Sequence, residues 1–211
     1  GVTDLSTAVD GISSVVNAYG DDVIDATTAS DLMFTAVKLG KTDFEQLSAS
    51  LFNVTPTAAG LGVEFGDVTA SLAALTAQGV PTSVATTQMR QLFIELSKEG
   101  GAAAETFEKM AGKTFKEFIA EGGNTAEALE LMQQAAEESG VGIADLFGSV
   151  EAGAAAGALA GNEAFASGIE AMGDAAGATE TAFETMDQGL RPMIDRFKAW
   201  AQVLLIDIGE K

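Results

Sequence analysis

The chain has 211 residues, 47% of them hydrophobic, and a formal net charge of −20 at pH 7. This composition excludes a disordered chain, and we expect no sequence-specific nucleic-acid binding, because so acidic a protein repels phosphate groups at long range and disfavours binding through a basic patch. The absence of cysteine and histidine excludes disulfides, thiolate nucleophiles and serine–histidine triads and removes the usual zinc ligands, so we expect no enzyme, cofactor or metal site.

Apolar residues recur at every third or fourth position at the start of the chain. This spacing predicts an amphipathic helix within residues 1–25. We expect this helix to continue from a preceding region, because the sequence starts at Gly1 without a methionine. A second helix follows with the same period and ends at Gly40. The positions that carry the first period are Leu5, Val9, Ile12, Val16 and Tyr19.

Helix starts then follow one another closely, and glycine repeatedly ends the helices. Three pairs fit the capping-box pattern, in which one side chain caps a backbone N–H and an acid three residues later reaches back. The pairs are Thr42 with Glu45, Thr114 with Glu117, and Asn124 with Glu127. Pro56 marks another helix start, and we expect Asp67 to cap the helix after it. No segment shows the alternation of a strand, so we predict an all-α fold of about eight to ten short helices broken by glycine.

The end of the chain differs from its middle. From residue 148 onward alanine and glycine dominate, until a longer C-terminal helix within residues 190–211 restores large apolar side chains. Phe197, Trp200 and Leu204 fall on nearly one face of this amphipathic helix, and such a face is typical of a contact with another subunit. Residues 26–189 form one helical core domain in this prediction, because no polar linker interrupts them.

Three glycines in the alanine-rich region predict close helix packing. Gly153, Gly157 and Gly161 are spaced by four residues, which would place them on one helix face. Glycine lowers helix stability by up to about 1 kcal/mol relative to alanine, so this placement favours a packing contact within the chain or between subunits. Two alternatives stay open, a loop and a membrane insertion, although the region contains charges and few large apolar residues.

The acidic residues can be interpreted in two ways. Glu64 and Asp67 lie one helical turn apart and have the chemistry for acid–base work, but acids favouring the positive end of a helix dipole explain them better. Between Lys116 and Arg191 there are fourteen acidic residues and no basic one. This stretch is either a solvated face or a surface along which DNA passes without binding.

Three segments carry motifs in a recognisable order. They are GKTDFEQL (residues 40–47), VTPTAAGLGVEFGDVTASLAALTAQGVP (residues 54–81) and TTQMRQLFIEL (residues 86–96). In this order the motifs resemble the core domain of phage tail tape measure proteins, and the resemblance extends over residues 26–187. Family members often have leucine at the position of Met89, a difference that keeps the position apolar.

The resemblance implies a non-enzymatic structural protein that helps set tail length, takes part in tail assembly and is released for DNA ejection. It implies a homo-oligomer, with a trimer favoured, and contacts with tail tube proteins, tail tip proteins and an assembly chaperone. The implied location is the virion tail, in the tube lumen or at the tip, and the host cytoplasm during assembly. Because the apolar content of this segment is typical of globular domains, we expect it to fold compactly at one end of the tape measure protein.

A second function fits the same composition. The three spaced glycines and the alanine-rich region are compatible with an acidic helical pore-forming or membrane-interacting module through which DNA passes. Only this alternative predicts contact with a membrane.

Overall fold

The computed structural model describes residues 5–182, and all regular structure among them is helical. The all-α prediction is therefore confirmed, with eleven α-helices in residues 5–176. They are α1 (Leu5–Tyr19), α2 (Ala26–Leu39), α3 (Phe44–Ser50), α4 (Thr55–Leu61), α5 (Phe65–Ala77), α6 (Thr82–Ser97), α7 (Ala102–Ala111), α8 (Phe115–Ala120), α9 (Thr125–Ser139), α10 (Val150–Leu159) and α11 (Glu163–Gly173). Two short 3₁₀ helices, Leu51–Asn53 and Ile143–Leu146, lie between them.

The chain divides into two units, residues 1–176 and residues 177–211. Helices α1 to α11 all belong to the first unit. In the second unit the described residues are 177–182, and residues 178–182 are helical. The predicted longer helix near the C-terminus lies outside the described residues, and the sequence-based boundaries at residues 25 and 189 stay predictions.

Helix α5 is the centre of the first unit. Eleven of its 13 residues are buried, because α2, α4, α6, α10 and α11 all pack against it. Its buried hydroxyl groups are satisfied within the helix: Thr69 Oγ1 donates to the Phe65 carbonyl at 2.9 Å and Ser71 Oγ donates to the Asp67 carbonyl at 2.7 Å. A buried hydroxyl without a partner would destabilise the fold, so this local bonding lets polar residues occupy a fully covered helix.

Two of the three predicted capping boxes are present. The side chains of Thr114 and Asn124 accept the backbone N–H of Glu117 and Glu127, and each glutamate accepts the N–H of its cap residue. These reciprocal bonds satisfy backbone groups that the first helical turn leaves free. They fix the starts of α8 and α9.

The third capping-box prediction, Thr42 with Glu45, is wrong. Helix α3 is capped one residue later by Asp43, whose carboxylate accepts the Gln46 N–H at 2.8 Å. The extended backbone of Asp43 brings its side chain to that N–H, whereas the Thr42 hydroxyl lies 2.6 Å from the hydroxyl of Thr82 at the start of α6. A tertiary contact therefore replaces the predicted local one at Thr42.

The prediction that Asp67 caps α5 is also wrong. The helix begins at Phe65 with Glu64 at the cap position, and no side chain caps it there. Asp67 lies in the first turn and is 6% exposed. Its carboxylate bonds to a different helix, as described below.

Helices α1 and α3 approach closely at Gly11. An added Cβ at Gly11 would lie 2.5 Å from the Ser48 Cβ and 2.9 Å from the Ser48 Cα. No side chain fits in that space without moving one of the two backbones. The glycine therefore allows α1 to pack on α3.

Gly11→Ala is expected to destabilise the first unit by about 1–3 kcal/mol, because the methyl group overpacks this contact. Gly60→Ala in α4 is the matched control, since nothing lies within 4 Å of an added Cβ there. We expect the control to be neutral or to stabilise by up to about 1 kcal/mol, because alanine favours helix. Thermal denaturation of both variants measures this, and equal midpoints would contradict the close contact at Gly11.

Candidate functional site

The three glycines predicted as packing contacts have different surroundings. Gly153 is buried in α10, where an added Cβ would lie 2.9 Å from the Ala144 carbonyl oxygen and 3.3 Å from the Ala144 Cβ. Gly157 is exposed and has nothing within 4 Å of an added Cβ. Gly161 follows the end of α10 with a φ of +65°. The three therefore do not share one helix face, and only Gly153 makes a tight contact within the first unit.

The other predicted contact residues, Phe197, Trp200 and Leu204, lie outside the described residues. A role of any of the six residues in contacts between subunits stays a prediction. No described helix has both the length and the apolar character needed to cross a membrane.

A buried carboxylate on α5 holds the start of α9. Asp67 Oδ2 accepts the Thr125 backbone N–H at 2.7 Å and the Thr125 hydroxyl at 2.9 Å. Thr125 is the first residue of α9, so this bond satisfies a helix N-terminal N–H that the Asn124 capping box does not reach. The two residues are 58 positions apart in the sequence.

Burial has a measurable consequence for the Asp67 carboxyl group. Desolvation raises its pKa above the ordinary value, the two bonds from Thr125 oppose that change, and the charges of Glu64 and Glu127 add to it. The ionised form is therefore less stable in the folded protein than in water. A positive charge placed beside Asp67 would stabilise the ionised form and lower its pKa.

A second carboxylate plays the same structural role on α6. The Glu95 side chain accepts the backbone N–H groups of Gly148 at 2.6 Å and of Ser149 at 2.9 Å. Ser149 is the cap residue of α10 and accepts the Ala152 N–H with its own hydroxyl. Two central helices thus each hold the start of a later helix through one acid.

Asp67 also lines a cleft of about 690 Å³ in the part of the chain that the structure describes. We call it the Asp67 cleft. Its walls come from the α1–α2 connection, the α4–α5 junction and α11, and most of them are apolar. The apolar walls include Ile24, Leu32, Val63, Phe65, Ile169 and Met172.

The polar groups of the Asp67 cleft are acidic or neutral. Glu64 is exposed, Asp67 is buried, and Tyr19 contributes its ring and hydroxyl. No lysine or arginine is among the described residues that line the cleft. The cleft therefore has a negative potential and an apolar interior.

Tyr19 has a buried hydroxyl without a hydrogen-bond partner among the described residues. Its ring meets the ring of Phe65 edge to face, with centroids 5.8 Å apart. Burial raises the pKa of Tyr19, and the negative charges of Asp67 and Glu64 add to this. The phenol thus stays protonated and is available to donate or accept one hydrogen bond.

The geometry of the cleft supports binding more directly than catalysis. Glu64 and Asp67 are neighbours, as predicted, but they differ in exposure: Glu64 is exposed at the rim of the cleft and Asp67 is buried in its wall. Among residues 5–182, no group of three or more acidic side chains comes together as a metal site. Sequence reasoning identified Glu64 and Asp67 and missed the role of Tyr19, whose position fits an ordinary amphipathic helix.

The fold is an all-α domain with an acidic cleft whose walls are mostly apolar. A family model described as phage-related minor tail protein matches residues 1–148. The chain is also 37% identical over 219 residues to a "Probable tape measure protein" of Clostridium phage phiCD119. The chain belongs to the phage tail tape measure family, as the resemblance of its motifs predicted.

The match to the Clostridium phage protein covers 100% of this chain and 23% of the relative. The chain thus spans about a quarter of the length of that curated protein. No solved structure matches the chain.

Asp67→Asn is expected to gain stability relative to the wild type as the pH rises. The amide keeps an oxygen for the bonds from Thr125 and removes the titrating charge. Because folding raises the Asp67 pKa above its ordinary value of 3.8, the wild-type carboxyl contributes most to stability below pH 3.8 and loses that contribution as the pH rises through its folded-state pKa. Thermal midpoints of both proteins between about pH 3 and pH 7 measure this.

Asp25→Asn is the control with the opposite sign. The Asp25 carboxylate caps α2 by accepting the Thr28 N–H at 2.7 Å, and this bond lowers the pKa of Asp25. Its contribution is present above the ordinary pKa and is lost as the pH falls through the folded-state pKa. This variant should therefore lose stability relative to the wild type as the pH rises, and parallel trends in the two variants would contradict the burial argument.

Proposed function

We propose that the first unit of this chain is a compact assembly domain of a tape measure protein, which binds other tail proteins while helices elsewhere in the full protein set tail length. The observation that carries the proposal is the burial of α5 in a chain of this family. Eleven of the 13 residues of that helix are buried. The helices that cover it include two that precede it in the sequence, α2 and α4, and three that follow it, α6, α10 and α11. An extended rod leaves every helix with a solvent face, so a segment used as a linear ruler would expose this one.

The proposal extends to the life cycle of the tail. The full protein would occupy the tube lumen or the tip, contribute to tail length, and leave for DNA ejection. Tail tube proteins, tail tip proteins and an assembly chaperone are its expected partners, and the host cytoplasm is where assembly would start. The family membership of the chain supports an association with other tail proteins.

The acidic stretch of the chain is compatible with DNA moving past it in the tail. Fourteen acidic residues and no basic one lie between Lys116 and Arg191. Such a surface repels phosphate and keeps DNA from binding as it moves past. The pore-forming alternative has less support, because the three glycines that suggested it do not share one helix face.

An in-frame deletion of residues 1–176 from the full-length protein tests the compact role. As one continuous helix these residues would span about 260 Å, at about 1.5 Å per residue. We expect fewer assembled tails, with the remaining tails close to wild-type length in electron micrographs. Deleting the same number of residues from a predicted helical region outside this chain is the control and should shorten tails by up to that length. A shortening of about 260 Å by the first deletion would contradict the proposal.

Light scattering coupled to size exclusion tests the trimer. We expect a mass about three times the chain mass of 21.5 kDa. If Gly157 forms the contact, Gly157→Ala should lower this mass at a given concentration while raising helix stability, because the added methyl group meets nothing within 4 Å in one chain. Gly60→Ala, with equally open surroundings, should leave the mass unchanged. A monomer at all concentrations would contradict self-association through this chain.

A further inference from the structure

We propose that the Asp67 cleft binds an arginine side chain, flanked by apolar residues, from a partner protein. The recognition chemistry stands on the cleft alone, and only the identity of the partner as a tail protein depends on the proposed function.

The size of the cleft suits a side chain with its neighbours. Its volume of about 690 Å³ lies within the range of about 300–1,000 Å³ that is typical of ligand sites. The apolar walls can cover the methylene groups of an arginine and one adjacent apolar side chain. Phe65 on α5 and Met172 on α11 both line the cleft and supply apolar contact.

The charges of the cleft select a cation. Glu64 stands exposed at the rim and Asp67 lies buried in the wall, and no described basic residue of the lining neutralises either of them. Both bonds from Thr125 reach Asp67 Oδ2, which leaves Oδ1 without a hydrogen bond among the described residues. Burial raises the pKa of Asp67 despite the two bonds from Thr125, so its ionised form lacks full compensation for desolvation. A cation in the cleft would supply it.

The hydrogen-bond requirements favour arginine over lysine. A guanidinium carries five N–H donors in a planar fork and is less strongly hydrated than an ammonium, so it can bond several acceptors in a half-buried site. Asp67 Oδ1, the Glu64 carboxylate and the Tyr19 oxygen offer acceptors of this kind. The buried Tyr19 hydroxyl would then gain the partner that it lacks in the free chain.

The overall charge of the chain fits this occupant. A protein with a net charge of −20 attracts basic segments at long range and repels acidic ones. The long-range field brings a basic segment to the surface, and the apolar walls of the Asp67 cleft select among such segments. Specificity therefore depends on the cleft and not on the net charge.

The proposal can be tested with a pair of fluorescent peptides of sequence Leu-Leu-Arg-Leu-Ser, one with arginine and one with citrulline in its place. Citrulline has nearly the same shape and no charge. Fluorescence anisotropy with the whole chain gives the affinities, and methyl NMR shifts of Ile24, Val63 and Met172 locate the peptide. We expect the arginine peptide to bind about tenfold more tightly and to shift these methyl groups.

Three variants separate the cleft from general attraction to an acidic protein. Glu64→Gln and Asp67→Asn should each weaken the arginine peptide about tenfold and leave the citrulline peptide unchanged. Glu105→Gln, at an exposed acid in the first turn of α7 and outside the cleft, should change neither. Equal affinity for the two peptides, an equal loss in the Glu105 variant, or no binding at millimolar peptide would each overturn the proposal. Failure of the tail-assembly test with normal peptide binding would leave the cleft assignment intact and remove only the tail partner.

Discussion

The burial of α5 on all sides is the constraint on which the first unit depends. A helix without a solvent face can approach five neighbouring helices only if its side chains fit between them and its polar groups are satisfied. Buried alanines allow the close approach beside the larger apolar side chains of α5. Thr69, Ser71 and Thr76 meet the second condition because each donates to a carbonyl one turn earlier. The carboxylate of this helix, Asp67, is accommodated because the start of α9 donates to it. The packing of the later helices is thus constrained by the side chains and polar groups of α5.

An acidic chain with few cations stabilises its carboxylates with backbone N–H groups. Within residues 5–182 the ion pair that the structure contains is Lys113 with Glu121. The acids at helix starts instead accept N–H groups, and this bonding lowers the pKa of Asp25, Asp43 and Glu117. The positive end of each helix dipole takes the place of a basic side chain. Some of the acidic residues therefore determine where helices begin. They are more than a solvated acidic face.

The local features of the fold could be read from the sequence, and the distant ones could not. Hydrophobic period, glycine breaks and the reciprocal caps at Thr114 and Asn124 are set within one helical turn, so they are visible in a short window. The bond between Asp67 and Thr125 spans 58 positions, and the one between Glu95 and Ser149 spans 54. Nothing near either acid distinguishes it from the many exposed ones. The Asp67 cleft was missed for the same reason, because helices distant in the sequence form its walls.

The position of the Asp67 cleft follows from the packing of α5 and bears on the role of the domain. Near its N-terminal end, α5 meets α2 and α11, and the space left between these helices and the end of α1 exposes part of an otherwise covered acid. A carboxylate that is bonded on one side and open on the other is suited to receive a cation without rearrangement of the core. Docking at such a site requires the folded first unit, since α1, α5 and α11 must be together to form it. A tape measure protein that unwound this segment into one long helix would lose the cleft, so partner binding here would itself favour the compact state.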